Sequence, residues 1–295
     1  MERLISSVWL FCEVVIGSLF LNAEKGGIDL HSHTTRSDGY LSPEALLAVA
    51  ADRGVSALAI TDHDMPLFPS MVNHPTVQVI AGTELSCVWS RQTIHIVGLN
   101  MTVSEPISDH CFEIQQARVR RAEEIARRLE KLGMTGALAG ALEESGNEQI
   151  GRPHFARWMV KQGHVKDMRA AFKRYLGAGK IGDIKSEWPA LAKAVEVIVR
   201  SGGIPVLAHP KQYQMTNTKL KALITDFAAA GGKALEVCNG FQPRDQVEYL
   251  ARLTQDADLL ASAGSDFHGP EAPYHFPGGY TALPGNVRPV WSLWE

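Results

Sequence analysis

Cysteine is scarce in this chain. Cys12, Cys87, Cys111 and Cys238 form no C-x-x-C pair, and four cysteines in 295 residues do not make a disulfide framework. A reducing, cytoplasmic setting follows. An excess of charge of one sign is also missing. The net charge of -3 gives no global basic field for nucleic acid and no sign of a DNA-binding module. An anionic ligand would have to be held by local arginines or a metal. Long apolar runs are missing too. Val8 to Leu21 is short for a membrane span and carries Glu13. Within the leader, residues 1–27, Arg3 is offset by Glu2, and Leu21-Asn22-Ala23 is a poor cleavage site. A non-native leader, a peripheral helix and an export segment stay open for it; membrane contact is not the expectation. There is no internal repeat. At 45% hydrophobic and 21% charged, the remainder reads as an ordinary globular protein.

What is present is alternation. Ile28 to His31 reads as a short buried strand. Ser42-Pro43 starts a helix, with serine as cap and proline at the first helical position, and Gly54 ends it. Val55 to Thr61 is the next strand, completing a βαβ unit with parallel strands. Val77 to Ala81 and Thr93 to Leu99 are further strands. From about 105 to 185 no strand is visible. Helices are expected over Ile107–Leu132, Pro153–Gln162, Asp167–Tyr175 and Pro189–Ser201, the first dense in arginine. Alternation then resumes: strand Ile204–Ala208, helix Lys219–Ala230, strand Ala234–Val237, helix Pro243–Thr254 and strand Leu259–Ala263. From Gly269 onward glycine and proline predict irregular chain.

Six of the eleven histidines fall in one pattern. His31 and His33 stand in an HxH, followed by Asp38. His63 stands in Thr-Asp-His-Asp, Glu84 in Gly-Thr-Glu and His95 within a strand. His209 stands in Ala-His-Pro, and Asp266 and His268 in Ser-Asp-Phe-His. Imidazole and carboxylate suit zinc, manganese and iron, and nine such groups exceed what one ion needs. Most follow apolar, β-branched runs. In a parallel barrel the strand ends converge, so separate ligands can share one site. Asp38 is the weakest member, because Ser-Asp-Gly is also a turn sequence. Asp29, Asp62 and Asp64 are expected behind the ligands, orienting them.

These pieces, in this order from Ile28 to His268, resemble the polymerase and histidinol phosphatase (PHP) family of metal-dependent phosphoesterases. The likeness is greatest to its branch of 3′,5′-nucleotide bisphosphatases and 5′-to-3′ exoribonucleases. The added marks are Arg118-Val-Arg-Arg-Ala122 and Gly151-Arg-Pro-His-Phe-Ala-Arg157. The resemblance implies an α/β fold, a distorted (β/α)7 barrel of the PHP type with a helical insertion. It divides the chain into barrel segments 28–104 and 186–295 and a substrate cap at 105–185. It implies up to three divalent metals, Mn2+ in the first instance with Zn2+ or Fe2+ as alternatives, held by His31, His33, Asp38, His63, Glu84, His95, His209, Asp266 and His268. Glu84 would bridge. The attacking group would be a water on the metals, with no protein nucleophile. Arg118, Arg121, Arg152 and His154 would hold the terminal phosphate of a nucleotide or a short 5′-phosphorylated RNA. Between His63 and Glu84 the chain is short for the family, so one barrel helix is expected to be missing or frayed.

Each signal has a plainer reading. Arginine-rich helices are often solvated faces, and Arg127 and Arg128 are assigned to that class. Arg118 and Arg121, three apart, can share a phosphate. His74, His110, His164 and His275 read as surface groups, and Trp158, Trp188, Trp291 and Trp294 show no stacking pattern. The expected activity is hydrolysis of the 3′ phosphoester of 5′-phosphorylated nucleotides. The alternatives are a small-metabolite phosphatase of the histidinol-phosphate type, a deaminase or amidase, and a non-catalytic metal-binding module.

Overall fold

The computed structural model describes residues 27–146, 149–184, 188–269 and 275–294. The leader reading falls almost wholly outside them. The helix Pro43–Asp52 (α1) starts as expected: Ser42 Oγ accepts from the Ala45 amide and Pro43 opens the first turn. It connects two parallel strands, β1 (Gly27–Asp29) and β2 (Val55–Ala59). β3 (Gln78–Ile80) pairs parallel with β2. Residues 60–77, which join β2 to β3, contain no helix, as the short spacing between His63 and Glu84 foretold.

A second sheet has the order β4-β5-β6-β7-β8. Its strands are β4 (Gly82–Trp89), β5 (Gln92–Leu99), β6 (Ile204–Leu207), β7 (Ala234–Asn239) and β8 (Leu260–Gly264). The wholly parallel expectation is corrected here. β5 runs antiparallel to both β4 and β6. Only Ser90 and Arg91 separate β4 from β5, both at positive φ (46° and 64°). That is the geometry of a two-residue hairpin turn, and it leaves no room for a crossover. The sheet is therefore mixed within an α/β fold.

The edges of the two sheets are hydrogen-bonded to each other. On one side the Leu30 amide donates to Ala263 O at 3.1 Å and the His33 amide to Phe267 O at 2.8 Å. On the other, the Asp64 amide donates to Glu84 O at 2.9 Å, and Leu67 and Gly82 exchange two backbone bonds. One buried apolar cluster draws Ile28, Ala57, Ile80, Val97, Val206 and Ala234 from strands of both sheets. The outer faces are covered by α1 and by three later helices, α6 (Leu191–Arg200), α7 (Asn217–Ala229) and α8 (Arg244–Asp256).

Between β5 and α6 lie α2 (Glu105–Glu130), α3 (Ala137–Glu144), α4 (Arg152–Lys161) and α5 (Met168–Ala171), the last running into a π-helical turn, Phe172–Leu176. The helix α3 had no counterpart in the sequence reading. These helices share a core that includes Ile125, Leu129, Ala141, Phe155, Met159 and Leu176. Along α2 the buried residues Ile107, Cys111, Ile114, Arg118, Ala122, Ile125 and Leu129 recur at helical spacing. Arg118 thus lies on the inward stripe, whereas Arg127 and Arg128 are outward and pair with Glu124. His110 also lies inward, only 7% exposed, which corrects its reading as a surface group. Cys87, Cys111 and Cys238 are buried free thiols.

Candidate metal centre

The nine predicted ligands meet in one place. Four overlapping groups contain all of them: His33, Asp38, His63 and His268; His31, His209 and Asp266; His31, His33 and Glu84; and His63, Glu84 and His95. The fold explains the convergence. His31 and His33 follow β1, His63 follows β2, His209 follows β6, and Asp266 and His268 follow β8. These strand ends lie together. Glu84 sits early in β4 and His95 in mid-β5. They meet because β5 is reversed: His95 pairs with Ser86, and Glu84 lies diagonally across the ladder. His209 (φ 28°) and Asp266 (φ 52°) are held in the left-handed region, a local strain that clusters at functional sites.

Glu84 is the centre. Its Oε1 lies 3.0 Å from His95 Nδ1 and 2.8 Å from His209 Nε2. Its Oε2 lies 3.3 Å from His31 Nε2, 3.2 Å from His33 Nε2 and 3.1 Å from His63 Nδ1. Five imidazoles thus surround one buried carboxylate. His31 Nε2 and His33 Nε2 are themselves 3.2 Å apart, and both face Asp266 Oδ1 at 3.4 Å. Two imidazole lone pairs that converge on the same oxygens repel unless a cation or a proton lies among them. The buried Nδ1 atoms of His33 and His209 have no hydrogen-bond partner. Burial opposes charge on Glu84, Asp38 and Asp266, yet these carboxylates stay ionised. Histidines hold Glu84, Asp38 and Asp266 well below the usual carboxylate range. Burial pushes His63 down to about 3, while Asp38 overcomes burial at His268 and raises it to about 10. Anionic oxygens among neutral and cationic imidazoles make a donor set consistent with divalent metal sites.

A second layer fixes these groups. Glu236, in β7, is 2% exposed. Its Oε1 is 2.9 Å from His31 Nδ1, and its Oε2 accepts the His209 amide at 2.5 Å. It was missed in sequence because it lies inside the apolar strand Ala-Leu-Glu-Val-Cys-Asn, without a neighbouring histidine. Asp62 accepts from the Thr34 amide, Thr34 Oγ1 and Ser37 Oγ, and so shapes the loop that carries Asp38. Asp29 accepts from the amides of His31, Ser265 and Gly278.

Beside the cluster lies a cavity of about 140 Å³. Asp38, His63 and His95 form its floor; Arg118, Arg121, Arg152 and His154 form its walls. The structure thus gathers the four predicted phosphate contacts, but unequally. Arg118 is already engaged: its guanidinium pairs with buried Asp64 and donates to Ser86 Oγ at 2.9 Å. Arg121 Nε is buried without a partner. Burial and the neighbouring Arg152 and Arg118 hold the Arg121 guanidinium below its usual range. Burial also lowers Arg152, against the pull of Asp183 3.7 Å away. Trp188 lies under Arg118 and Arg121, 5.0 and 5.6 Å from the ring centroid, a stacking role its sequence context did not signal. His154 Nδ1 accepts the Gly151 amide at 2.9 Å, and burial lowers its pKa to about 4. The neutral ring therefore carries its proton on Nε2, as a donor.

A nest of strand-end histidines and carboxylates beside a guanidinium-lined cavity is the site of a metal-dependent phosphoester hydrolase. The comparisons with known proteins agree. The PHP domain pattern matches residues 29–118. A 5′-3′ exoribonuclease of Escherichia coli K12 is 41% identical over 90% of this chain and 93% of its own. A 3′,5′-nucleoside bisphosphate phosphatase of Chromobacterium violaceum is 39% identical over 91% of this chain and 96% of its own. Among solved structures, a Chromobacterium violaceum protein described as an amidohydrolase, with bound sulfate and no metal, superposes with a TM-score of 0.85. It is 38% identical, over 91% of this chain and 95% of that one. The chain belongs to the PHP domain family and is a metal-dependent phosphoesterase. Among the described residues no helix is long and apolar enough to cross a membrane.

Proposed function

We propose that this enzyme hydrolyses the 3′ phosphoester of 5′-phosphorylated nucleotides, acting as a 3′,5′-nucleoside bisphosphate phosphatase, as a 5′-to-3′ exoribonuclease on short RNA, or as both. The observation that carries the reading is the shared wall: the arginine cavity and the ligand cluster have Asp38, His63 and His95 in common. A phosphate seated among the arginines lies next to whatever the cluster holds. A nucleoside 3′,5′-bisphosphate carries one phosphate on its 5′ oxygen and one on its 3′ oxygen, and so offers a group to each of the two places.

In this reading His31, His33, Asp38, His63, Glu84, His95, His209, Asp266 and His268 hold up to three divalent cations, Mn2+ first among them, with Glu84 shared between positions. Bound there, such cations neutralise the phosphoryl oxygens and lower the pKa of a water for attack. The chain's own residues do the rest. Arg121 and Arg152 offer guanidinium donors to the 5′-phosphate, and His154 donates from Nε2. Arg118, clamped by Asp64, presents the edge left over from that pair. Glu236 keeps the His31 ring oriented through its Nδ1. The helices from 105 to 185 act as a cap over a barrel formed by the two hydrogen-bonded sheets. The likeness to a bisphosphatase and to exoribonucleases supports this reading.

The test is phosphate release from adenosine 3′,5′-bisphosphate by metal-stripped protein, with and without manganese. Release that requires the metal is expected. Arg152→Ala should then weaken turnover of the bisphosphate far more than that of a simple aryl phosphate. Equal losses on both would sink the anchoring role. Turnover of histidinol phosphate with none of the bisphosphate would move the assignment to small-metabolite esters.

A further inference from the structure

Gln149 stands in the wall of the arginine cavity and is only 5% exposed. A primary amide has an oxygen that accepts and an NH2 that donates, so which end faces the cavity decides what it binds. A second amide settles the orientation. Gln115, one turn before Arg118 on α2, brings its Nε2 within 3.1 Å of the Asp64 carbonyl oxygen and within 3.1 Å of Gln149 Oε1. A carbonyl oxygen only accepts, so the end of Gln115 that faces Asp64 is its NH2. The same nitrogen faces Gln149, which must meet it with oxygen; the reverse orientation would set two NH2 groups against each other. Gln149 Nε2 is left without a hydrogen-bond partner among the described residues. It is not sealed in the protein, and the open space beside Gln149 is the cavity. Asp64 anchors this relay. It sits at φ 51°, a left-handed conformation that a residue with a side chain keeps only where its surroundings fix it. Its amide donates to Glu84 O at 2.9 Å, and its carboxylate accepts the Ser86 amide at 2.7 Å and pairs with Arg118. One residue thus sets two donors of the cavity: Arg118 through its carboxylate, and Gln149 through its carbonyl and Gln115.

We infer that Gln149 is a further phosphate-binding residue, presenting a neutral N–H donor to the anion, and that Gln115 is the positioning residue that holds it in that orientation. The inference deepens the proposed reading of this cavity as the seat of the 5′-phosphate, and rests on it. Arg118, Arg121 and Arg152 already crowd positive charge around about 140 Å³. A fourth cation would add repulsion whenever the cavity is empty. An amide adds a hydrogen bond to a phosphate oxygen and no charge of its own. With its oxygen held by Gln115, Gln149 is kept from turning an acceptor toward the phosphate, which an anion would meet with repulsion.

The experiment titrates inorganic phosphate calorimetrically into the metal-stripped full chain. On the manganese-loaded chain it compares kcat/KM for adenosine 3′,5′-bisphosphate with that for a simple aryl phosphate. Gln149→Leu should weaken phosphate binding about tenfold to a hundredfold, the scale of one hydrogen bond to a charged group. Gln149→Glu keeps the length of the side chain and an oxygen for Gln115 but replaces the donor with a carboxylate oxygen, and should weaken binding by at least about a hundredfold. Gln115→Leu leaves the Gln149 amide in place but free to turn, and should cost about threefold to tenfold on the same grounds. The double variant Gln115→Leu and Gln149→Leu should bind no more weakly than Gln149→Leu alone, because the two amides act as one unit. In each variant the ratio of the two kcat/KM values should fall with phosphate affinity, which a general loss of folded protein would not produce. Wild-type phosphate affinity in Gln149→Glu or Gln149→Leu would overturn the contact, and additive losses in the double variant would overturn the relay. A wild-type chain that binds phosphate yet is inert toward the bisphosphate would instead overturn the function on which the inference rests.

Discussion

At the strand ends, imidazoles and carboxylates come from six strands and the loops after them, and nearly every group is fixed by another. In the cavity beside them, guanidiniums come from two helices of one segment, and Arg121 Nε has no hydrogen-bond partner. The first region is satisfied as a network and tuned toward cations. The second concentrates positive charge that burial makes costly, and such a cavity favours an anion that restores balance. Arg118 belongs to both worlds. It lines the arginine cavity, yet its partner Asp64 follows His63 of the cluster, in the TDHD segment. The two regions are thus joined by one buried ion pair.

Four substitutions would sharpen or break that contrast, in falling order of effect. Glu84→Gln removes the oxygen charge that five imidazoles share. Turnover should fall at least about a thousandfold, with bound metal measured by plasma mass spectrometry falling alongside. Retained metal and turnover would refute the bridging role. Arg118→Met leaves Asp64 buried without its partner and should cost about 3–5 kcal/mol in stability. Arg121→Met, by contrast, should leave the urea midpoint nearly unchanged and weaken phosphate binding. Similar midpoints for the two variants would show that Asp64 is not fixed through Arg118. Glu236→Gln should lower metal affinity about 10- to 100-fold without unfolding the chain; a chelator competition titration decides.

The smallest effect concerns His154. Its folded pKa, about 4, lies below the ordinary histidine value of 6.5. Between these values the unfolded chain binds more protons than the folded one. Stability is therefore fully present above about pH 6.5 and falls as pH drops toward about 4. His154→Gln should flatten that decline by about 1 kcal/mol or less, because the start of α4 can open locally to water. Matching stability–pH curves for the two proteins would show that His154 is not the titrating group.

The convergence of the nine groups was legible because metal chemistry restricts residue type and strand ends restrict position. HxH, TDHD, GTE, AHP and SDFH each carry both signals. The reversed β5 was not legible, since Ser90-Arg91 lacks the Asn-Gly or Gly that usually marks a two-residue turn. β4 was therefore hidden between two strands that seemed complete. The Arg118–Asp64 pair is separated by 54 residues and the Glu236–His31 contact by 205. No local pattern encodes such contacts; they follow from the fold. The inward position of Arg118 was written in the spacing of α2, where an arginine replaces an aliphatic residue on the buried stripe. Read alone, that spacing does not tell a buried cation from a snorkelling one.

Leu99 and Ile204 are register partners in the β5–β6 ladder, so the chain leaves and re-enters the sheet at one point. Everything between them is a closed excursion. Closing such a loop costs entropy that grows only with the logarithm of its length, about 0.6 kcal/mol per doubling. Lengthening, trimming or exchanging α3, α4 and α5 would thus change the entropic cost of closing the loop little, whereas α2 and α6 pack against the second sheet and belong to its core. On the proposed reading, what an exchange would change is which phosphorylated molecule reaches the histidine–carboxylate cluster, and an evolving lineage could revise its diet there while that cluster stayed untouched.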